Sequence, residues 1–396
     1  MTTTAPSASA PLSGLRIVEI SSFVAAPLCG LTLAQLGAEV IRVDPEGGAA
    51  DVHRWPVTES GESIYWTGLN RGKQSVVLDL RSAAGRAAVR RLITAPGAGG
   101  GILVTNSAGS SALTHASLTG LRPDLISLQI LGRHDGGAAV DYTVNAGVGF
   151  PSVTGPLDQG GVVNHVLPAW DIACGLYAAL AVASAVRRRE RDGAGAQISL
   201  ALDDVALATA GTLGFLTEVQ VNGRERPPVG NGIYGTFGND FETRDGERFM
   251  VVALTSRHFD DLVRITGVVQ AVDALEVALD ADFTDESDRY EHRELLVALF
   301  SAWFRRHDSE EVAAALSASS VLHQRYRTFA QACSSPDVLD NPLFAKMDQP
   351  RIGTYLAPAL PIIFDGAYLR VGVAPKLGSD TADVLDAYNV TTQVTM

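Results

Sequence analysis

The sequence predicts an α/β protein, a Rossmann-like large domain with a parallel sheet plus a smaller α+β domain. Three observations carry that expectation. Residues 15–44 read as strand, helix and strand, a βαβ unit whose strands must be parallel with a right-handed crossover. Strand and helix patterns then keep alternating as far as the helix pattern at 203–219. After Arg224-Glu225-Arg226-Pro227-Pro228 the character changes to a glycine-rich loop, a hairpin and helices.

The elements follow in order. Residues 1–13 lack the basic and apolar regions of a signal peptide and read as a disordered lead-in. Leu15–Ile20 is an apolar strand. The loop Ser21–Ala26 leads into Pro27, a good first helical residue, and Leu28, Leu31, Leu33 and Leu36 mark an apolar face as far as Gly37. Glu39–Asp44 is the second strand. The loop after the first strand has no Gly-x-Gly-x-x-Gly, which disfavours a nicotinamide cofactor.

Asn70-Arg71-Gly72-Lys73 is a basic turn running into the strand that ends at Leu80; it is either a solvated loop or a phosphate contact on the sheet's rim. Residues 82–94 read as a helix, and 101–106 and 125–131 as buried strands. Asn106 therefore falls at a strand's C-terminal end, where ligands of such sheets sit. Residues 136–155 read as loop and contain Asp141.

From Val162 an apolar approach ends in Asp171. Behind it, Ile172, Leu176, Leu180, Ala183 and Val186 recur at helical spacing, arginines crowd the far end, and Gly193 stops the helix. Asp171 falls at or beside the N-cap, so spacing alone admits a helix cap or a nucleophile. A strand at 197–202 and a helix at 203–219 complete the large domain.

The loop Gly230–Gly238 holds four glycines, which suits mobility or backbone brought close to a ligand. A hairpin joins Phe237–Thr243 to Arg248–Leu254 through Arg244-Asp245-Gly246-Glu247. Helices follow at 257–267, 291–306 and 309–318, then a proline-bearing tail expected to pack back on the large domain. The divisions are 14–223, 224–330 and 331–396.

Composition excludes some function classes. The 396 residues carry 44 acids against 31 bases, a net charge of −13, which argues against a nucleic-acid partner. Apolar runs fall short of a membrane span. The three cysteines, Cys29, Cys174 and Cys333, have no metal spacing and suit reduced cytoplasm.

Several stretches together resemble the class III CoA-transferase family, which includes formyl-CoA transferases and a racemase branch. They are Gly14–Glu19, Leu36–Val43, Asn70–Ser75, Thr105-Asn106, Thr154-Gly155, and Asp171 with Gly175. The resemblance implies Asp171 as nucleophile, coenzyme A as part of the substrate, no metal, no resident cofactor and an interlocked homodimer. It places CoA at Val24, Ala25, Asn70, Arg71, Lys73 and Asn106. Where the family often has a basic residue after the second strand, this chain has Pro45, and Arg42, His53 or Arg54 would have to substitute. Asp141 matches an acid that lies near the nucleophile in the transferases. The racemases carry a catalytic His just before that acid; Val140 stands there and cannot move a proton.

Longer stretches narrow the resemblance to a branch that shifts CoA between the two carboxyls of one dicarboxylic acid. They are Phe23–Leu28, Arg54–Thr58, Val140–Asn145, Asn164–Asp171 and Gly230-Asn231. An intermolecular CoA-transferase is the alternative. In this reading His165 either meets the substrate's free carboxylate or is a satisfied histidine, and Gly230, Asn231 and Gly232 support the substrate. Oxyanion donors are expected from the start of the Asp171 helix or from the glycine loop.

Overall fold

Six parallel strands form the main sheet, in the order β3-β2-β1-β4-β5-β6. The computed structural model describes residues 10–107, 111–156 and 160–390, and its strands are β1 Arg16–Ile20, β2 Glu39–Asp44, β3 Gln74–Val77, β4 Ile102–Thr105, β5 Ile126–Leu131 and β6 Ala196–Ala201. The strand order reverses between β1 and β4, which pair Ile17 with Ile102 through Ile20 with Thr105. The crevice beyond the C-terminal ends of those two strands is the switch point at which open α/β sheets bind ligands.

As far as residue 212 the helices are α1 Ala25–Gln35, α2 Ile64–Leu69, α3 Ala83–Thr94, α4 His115–Thr119, α5 Asp141–Val148, α6 Phe150–Val153, α7 Ala169–Asp192 and α8 Leu202–Thr212, of which α6 belongs to the second of the chain's two compact units. One face of the sheet packs on α3. There Val18, Ile41, Val43, Val76 and Leu103 meet Ala88, Val89, Leu92 and Ile93, and Val384 and Leu385 from the C-terminal segment join them. Helices α1 and α7 lie against each other, made slim by Ala26, Cys29, Cys174 and Ala178, none of which has exposed surface. Gly175 is required at this crossing: a Cβ there would come within 2.7 Å of the Ala25 carbonyl. Helix α7 ends as its sequence dictates, with Gly193 at φ 69° and the Arg189 guanidinium donating to the carbonyl of Gly100 at 2.8 Å.

By length and apolarity alone α7 would cross a bilayer, yet one of its faces, with Cys174, Ala178 and Val182, is wholly buried in the protein, while its Leu176, Tyr177 and Leu180 stay exposed.

The chain divides into two compact units. The first comprises the described residues of Met1–Val148, His165–Val221 and Asp340–Met396; the second comprises those of Gly149–Asn164 and Asn222–Leu339. In the second, the three-stranded antiparallel sheet β7 Phe237–Glu242, β8 Arg248–Ala253 and β9 Leu322–Arg325 packs on helices through Phe241, Phe259, Phe283, Phe300 and Phe304.

Several expectations are corrected. Residues 136–155 are not all loop: α5 and α6 form there. The helix expected at 203–219 breaks after Thr212 at Gly214 (φ 83°) and resumes at Phe215–Asn222. Helices Val269–Leu279 and Glu286–Glu291 were not foreseen, nor was Thr381–Ala387 in the tail. Residues 1–9 of the lead-in lie outside the described residues, and its end is tied down by Leu12, whose N–H donates to the Leu36 carbonyl at 2.9 Å.

Candidate active site

Asp171 lies in the first turn of α7, but it is not the cap. The N-cap position belongs to Pro168, which offers no side-chain acceptor. Asp141, at the start of α5, supplies it instead: one oxygen accepts from the Trp170 N–H at 2.7 Å and from the Asp171 N–H at 3.1 Å. Its other oxygen faces His165 Nε2 at 2.7 Å. The cap reading of Asp171 is therefore overturned by a carboxylate from another helix.

This arrangement frees the Asp171 side chain, which has no hydrogen-bond partner among the described residues. Burial raises its pKa from the usual 3.8 to about 6; the neighbouring Asp141 pushes the same way and Arg54 opposes. The carboxylate is thus poorly solvated yet still ionised at neutral pH, which suits a nucleophile. Beside it, burial pushes the Cys174 thiol up to about 12, with Asp171 adding to the shift, so that thiol stays protonated.

The first amides of α7 are all engaged. Ala169 donates to the Leu167 carbonyl and Ile172 to that of Pro168, while Trp170 and Asp171 serve Asp141. The amides at the start of this helix are consequently not free as oxyanion donors, which removes one of the two expected sources and leaves the other, the glycine loop.

The switch-point loop is held from three sides. Asn106, at the end of β4, accepts from the Ser22 N–H at 3.1 Å and donates to the Ser22 carbonyl at 2.7 Å. Arg42 donates to the Ser21 carbonyl at 3.1 Å. Asp51 accepts from the Phe23 N–H at 3.0 Å. Phe23 itself sits at φ 66°, a left-handed conformation that costs an L-residue energy and persists only where its surroundings impose it. Val24 and Ala25 follow, both buried, and α1 begins there without a side-chain cap.

Asn70, Arg71 and Lys73 do not stand on an open rim. Lys73 is fully buried, and its ammonium donates to Glu19 at 2.9 Å, to the Pro27 carbonyl at 2.9 Å and to Asn70 at 3.0 Å. Asn70 also accepts from Arg42 at 3.1 Å and donates to the Trp66 carbonyl at 2.8 Å. Arg71 donates to the Pro358 carbonyl at 2.8 Å. Their charged and polar groups are consumed inside the fold. Gly30 makes room for the cluster: a Cβ there would fall 1.6 Å from a Glu19 oxygen.

Of the three bases considered as replacements at Pro45, Arg42 is likewise spent, on Asp44, Asp51 and Asn70. His53 and Arg54 are exposed. Arg54 and Tyr65 are the groups near Asp171 whose role the sequence did not reveal. Gly230, Asn231 and Gly232 belong to the second unit, where Gly230 donates to the Gly155 carbonyl at 3.0 Å.

Among the described residues one trio, His134, Asp203 and Asp204, brings metal-type ligand atoms within 4.8 Å of one another. Asp203 already accepts from the His134 and Asp204 amides. All three cysteines are free.

Residues 12–381 match the model of CoA-transferase family III. A 2-methylfumaryl-CoA isomerase of Chloroflexus aurantiacus is 46% identical over 378 residues, covering 94% of this chain and 92% of that one. A succinyl-CoA–D-citramalate CoA-transferase of the same bacterium is 27% identical and covers 87% of this chain and 85% of its own. The crystal structure of a CAIB/BAIF family protein from Brucella suis superposes with a TM-score of 0.77 at 27% identity, covering 96% of this chain and 99% of that one.

Proposed function

Because this chain belongs to CoA-transferase family III, we propose that it moves CoA from one carboxyl of 2-methylfumarate (mesaconate) to the other, by way of an aspartyl thioester on Asp171. The observation that carries this reading is the Asp171 carboxylate, relieved of capping by Asp141 and left without a hydrogen-bond partner among the described residues. The isomerase likeness over nearly the whole chain supplies the substrate.

The Asp171 carboxylate attacks the thioester carbonyl, and CoA thiolate leaves, giving a mixed anhydride. Thiolate returns to the aspartyl carbonyl, releasing the acid's carboxylate and leaving aspartyl-CoA. The acid's second carboxylate attacks that thioester, expels thiolate and forms the other anhydride. Thiolate then takes the acyl group and restores Asp171. Each step exchanges one activated acyl bond for another of similar energy, so no external energy source is needed.

Asp141 positions the nucleophile by capping α7, and His165 holds Asp141. The uncapped start of α1, with Val24 and Ala25, suits a CoA phosphate, since helix N-termini attract anions. Asn106, Asn70, Arg71 and Lys73 serve CoA indirectly, by fixing the loops around it.

An intramolecular path requires that the acid stay in the site. Run on unlabelled mesaconyl-CoA with excess labelled free mesaconate, the enzyme should give almost unlabelled product at a rate independent of added acid. Confinement gives the second carboxylate an effective concentration that dissolved acid cannot match. Label entering the product as fast as isomerisation proceeds would make the chain an intermolecular transferase.

A second copy of the chain, interlocked with the first, is the proposed partner. Leu176, Tyr177 and Leu180 of α7 and Leu207 of α8 are large apolar side chains left 41–60% exposed, a surface that suits burial in an oligomer. Sedimentation equilibrium should return twice the mass of 41.7 kDa. A monomer mass at micromolar protein would rule this assembly out.

A further inference from the structure

The charge around the nucleophile is lopsided. Asp171 and Asp141 bring two carboxylates together, and His165 is taken up by Asp141. Nearby cations are consumed elsewhere: Arg42 by Asp44 and Asp51, Lys73 by Glu19. Arg54 differs from both. It is exposed, it carries no carboxylate ion pair among the described residues, and its field reaches Asp171.

Its setting is nonetheless ordered. The Arg54 N–H donates to the Asp51 carbonyl at 3.0 Å, and the Ser63 hydroxyl, which caps α2, donates to the Arg54 carbonyl. The guanidinium carbon lies 5.4 Å from the Phe23 ring centre and 5.3 Å from that of Tyr65. Phe23 is the residue the switch-point loop holds in its left-handed conformation. A guanidinium set against two rings is fixed in orientation, and a side-chain hydrogen bond with Tyr65 holds it further, which leaves the other N–H donors of its fork for a carboxylate.

The proposed substrate needs such a group. A monothioester of a short dicarboxylic acid that presents its thioester to Asp171 carries a free carboxylate only a few bonds away. That charge must enter a site already holding two anions, where repulsion is strong unless a cation answers it. We propose that Arg54 receives the free carboxylate of the acyl group through its two-pronged fork, and so selects dicarboxylyl over monocarboxylyl thioesters; this rests on the CoA-transfer reading of Asp171. Once the acid is released from Asp171 it has two carboxylates, and Arg54 holds whichever one is not attacking. The exchange of the two at this anchor is then the turn that isomerisation requires.

The test compares mesaconyl-CoA with methacrylyl-CoA, which has the same skeleton without the second carboxylate, on wild type, Arg54→Gln and Arg54→Lys. It is run at pH 8, where Asp171 is ionised in every variant, and hydroxylamine trapping of the Asp171 adduct in a single turnover gives a readout for both thioesters. Arg54→Gln should lower kcat/KM on mesaconyl-CoA roughly 10- to 100-fold, as for a lost charge-assisted bond. Adduct formation from methacrylyl-CoA should change by less than about threefold, and Arg54→Lys should recover part of the loss because it keeps the charge but not the fork. An equal fall with both thioesters would overturn the proposal, because Arg54 would then grip CoA itself or tune the nucleophile. No fall with either would overturn it as well. A wild type that forms no adduct from either thioester would instead remove the CoA-transfer reading on which the proposal stands.

Discussion

Asp171→Asn should abolish turnover, with residual activity below roughly a thousandth of wild type, the scale of loss for a missing nucleophile. The amide occupies the same volume and leaves the Asp141 cap on α7 in place, so the fold should persist. Stability should even rise. The Asp171 carboxyl has a folded-state pKa near 6 against an ordinary 3.8, chiefly because burial disfavours its charge. A raised carboxyl pKa opposes folding wherever the group is ionised: the penalty is full above about pH 6, shrinks as pH falls through the window from 6 to 3.8, and is absent below it. Asp171→Asn should therefore melt higher than wild type at pH 8, with the difference closing by about pH 4. In wild type, kcat/KM should fall as pH drops through about 6, and Asp141→Asn should move that limb to lower pH by removing the neighbouring charge. Thermal melts and rate profiles across this range check each point. An Asp171→Asn protein with several per cent of wild-type activity would remove Asp171 from the chemistry.

Lys73→Ala should be the most destabilising change among the residues that surround the loop. It would leave the fully buried Glu19 carboxylate with only Arg42, 3.9 Å away, as a counter-charge. Breaking a buried ion pair by removing one partner costs about 3–5 kcal/mol, and a lowering of Tm by roughly 4–6 °C follows for a chain of this size. Adding Glu19→Gln to Lys73→Ala should recover part of the loss, since the stranded charge is then gone. A Lys73→Ala protein that melts within a degree of wild type and binds CoA poorly would instead put the ammonium on a CoA phosphate.

Much of the sheet was legible because its strands are short apolar runs closed by turn residues. Glu39–Asp44 was found to the residue, and Gly193 marked the end of α7 because only a residue tolerant of φ 69° can stop a helix there. Helix α5 was missed because Gly136, Gly137, Gly147 and Gly149 dilute the pattern around it. The cap on α7 was illegible for a different reason. Asp141 reaches Trp170 across 29 positions of sequence, and local spacing cannot register a partner that distant. Lys73 misled because a basic turn looks solvent-facing; its burial depends on Gly30 leaving room for Glu19, a relation that appears only in three dimensions. Asp171 and His165 were singled out as residues, but what each one bonds to was decided by α5. Arg54 was noted as a stand-in phosphate ligand and as the start of the Arg54–Thr58 stretch, but nothing local to it announces Phe23, Tyr65 and Asp171 as neighbours.

The central claim is a covalent intermediate on Asp171, and trapping it is the most direct test. Enzyme mixed with mesaconyl-CoA and quenched with hydroxylamine should carry a hydroxamate in the α7 peptide, at Asp171, because both an aspartyl thioester and an aspartyl anhydride are cleaved by that nucleophile. Asp171→Asn treated alike should carry none. Turnover by the wild type with no modified peptide under conditions that trap an authentic acyl thioester, or a hydroxamate at any other residue, would contradict the account.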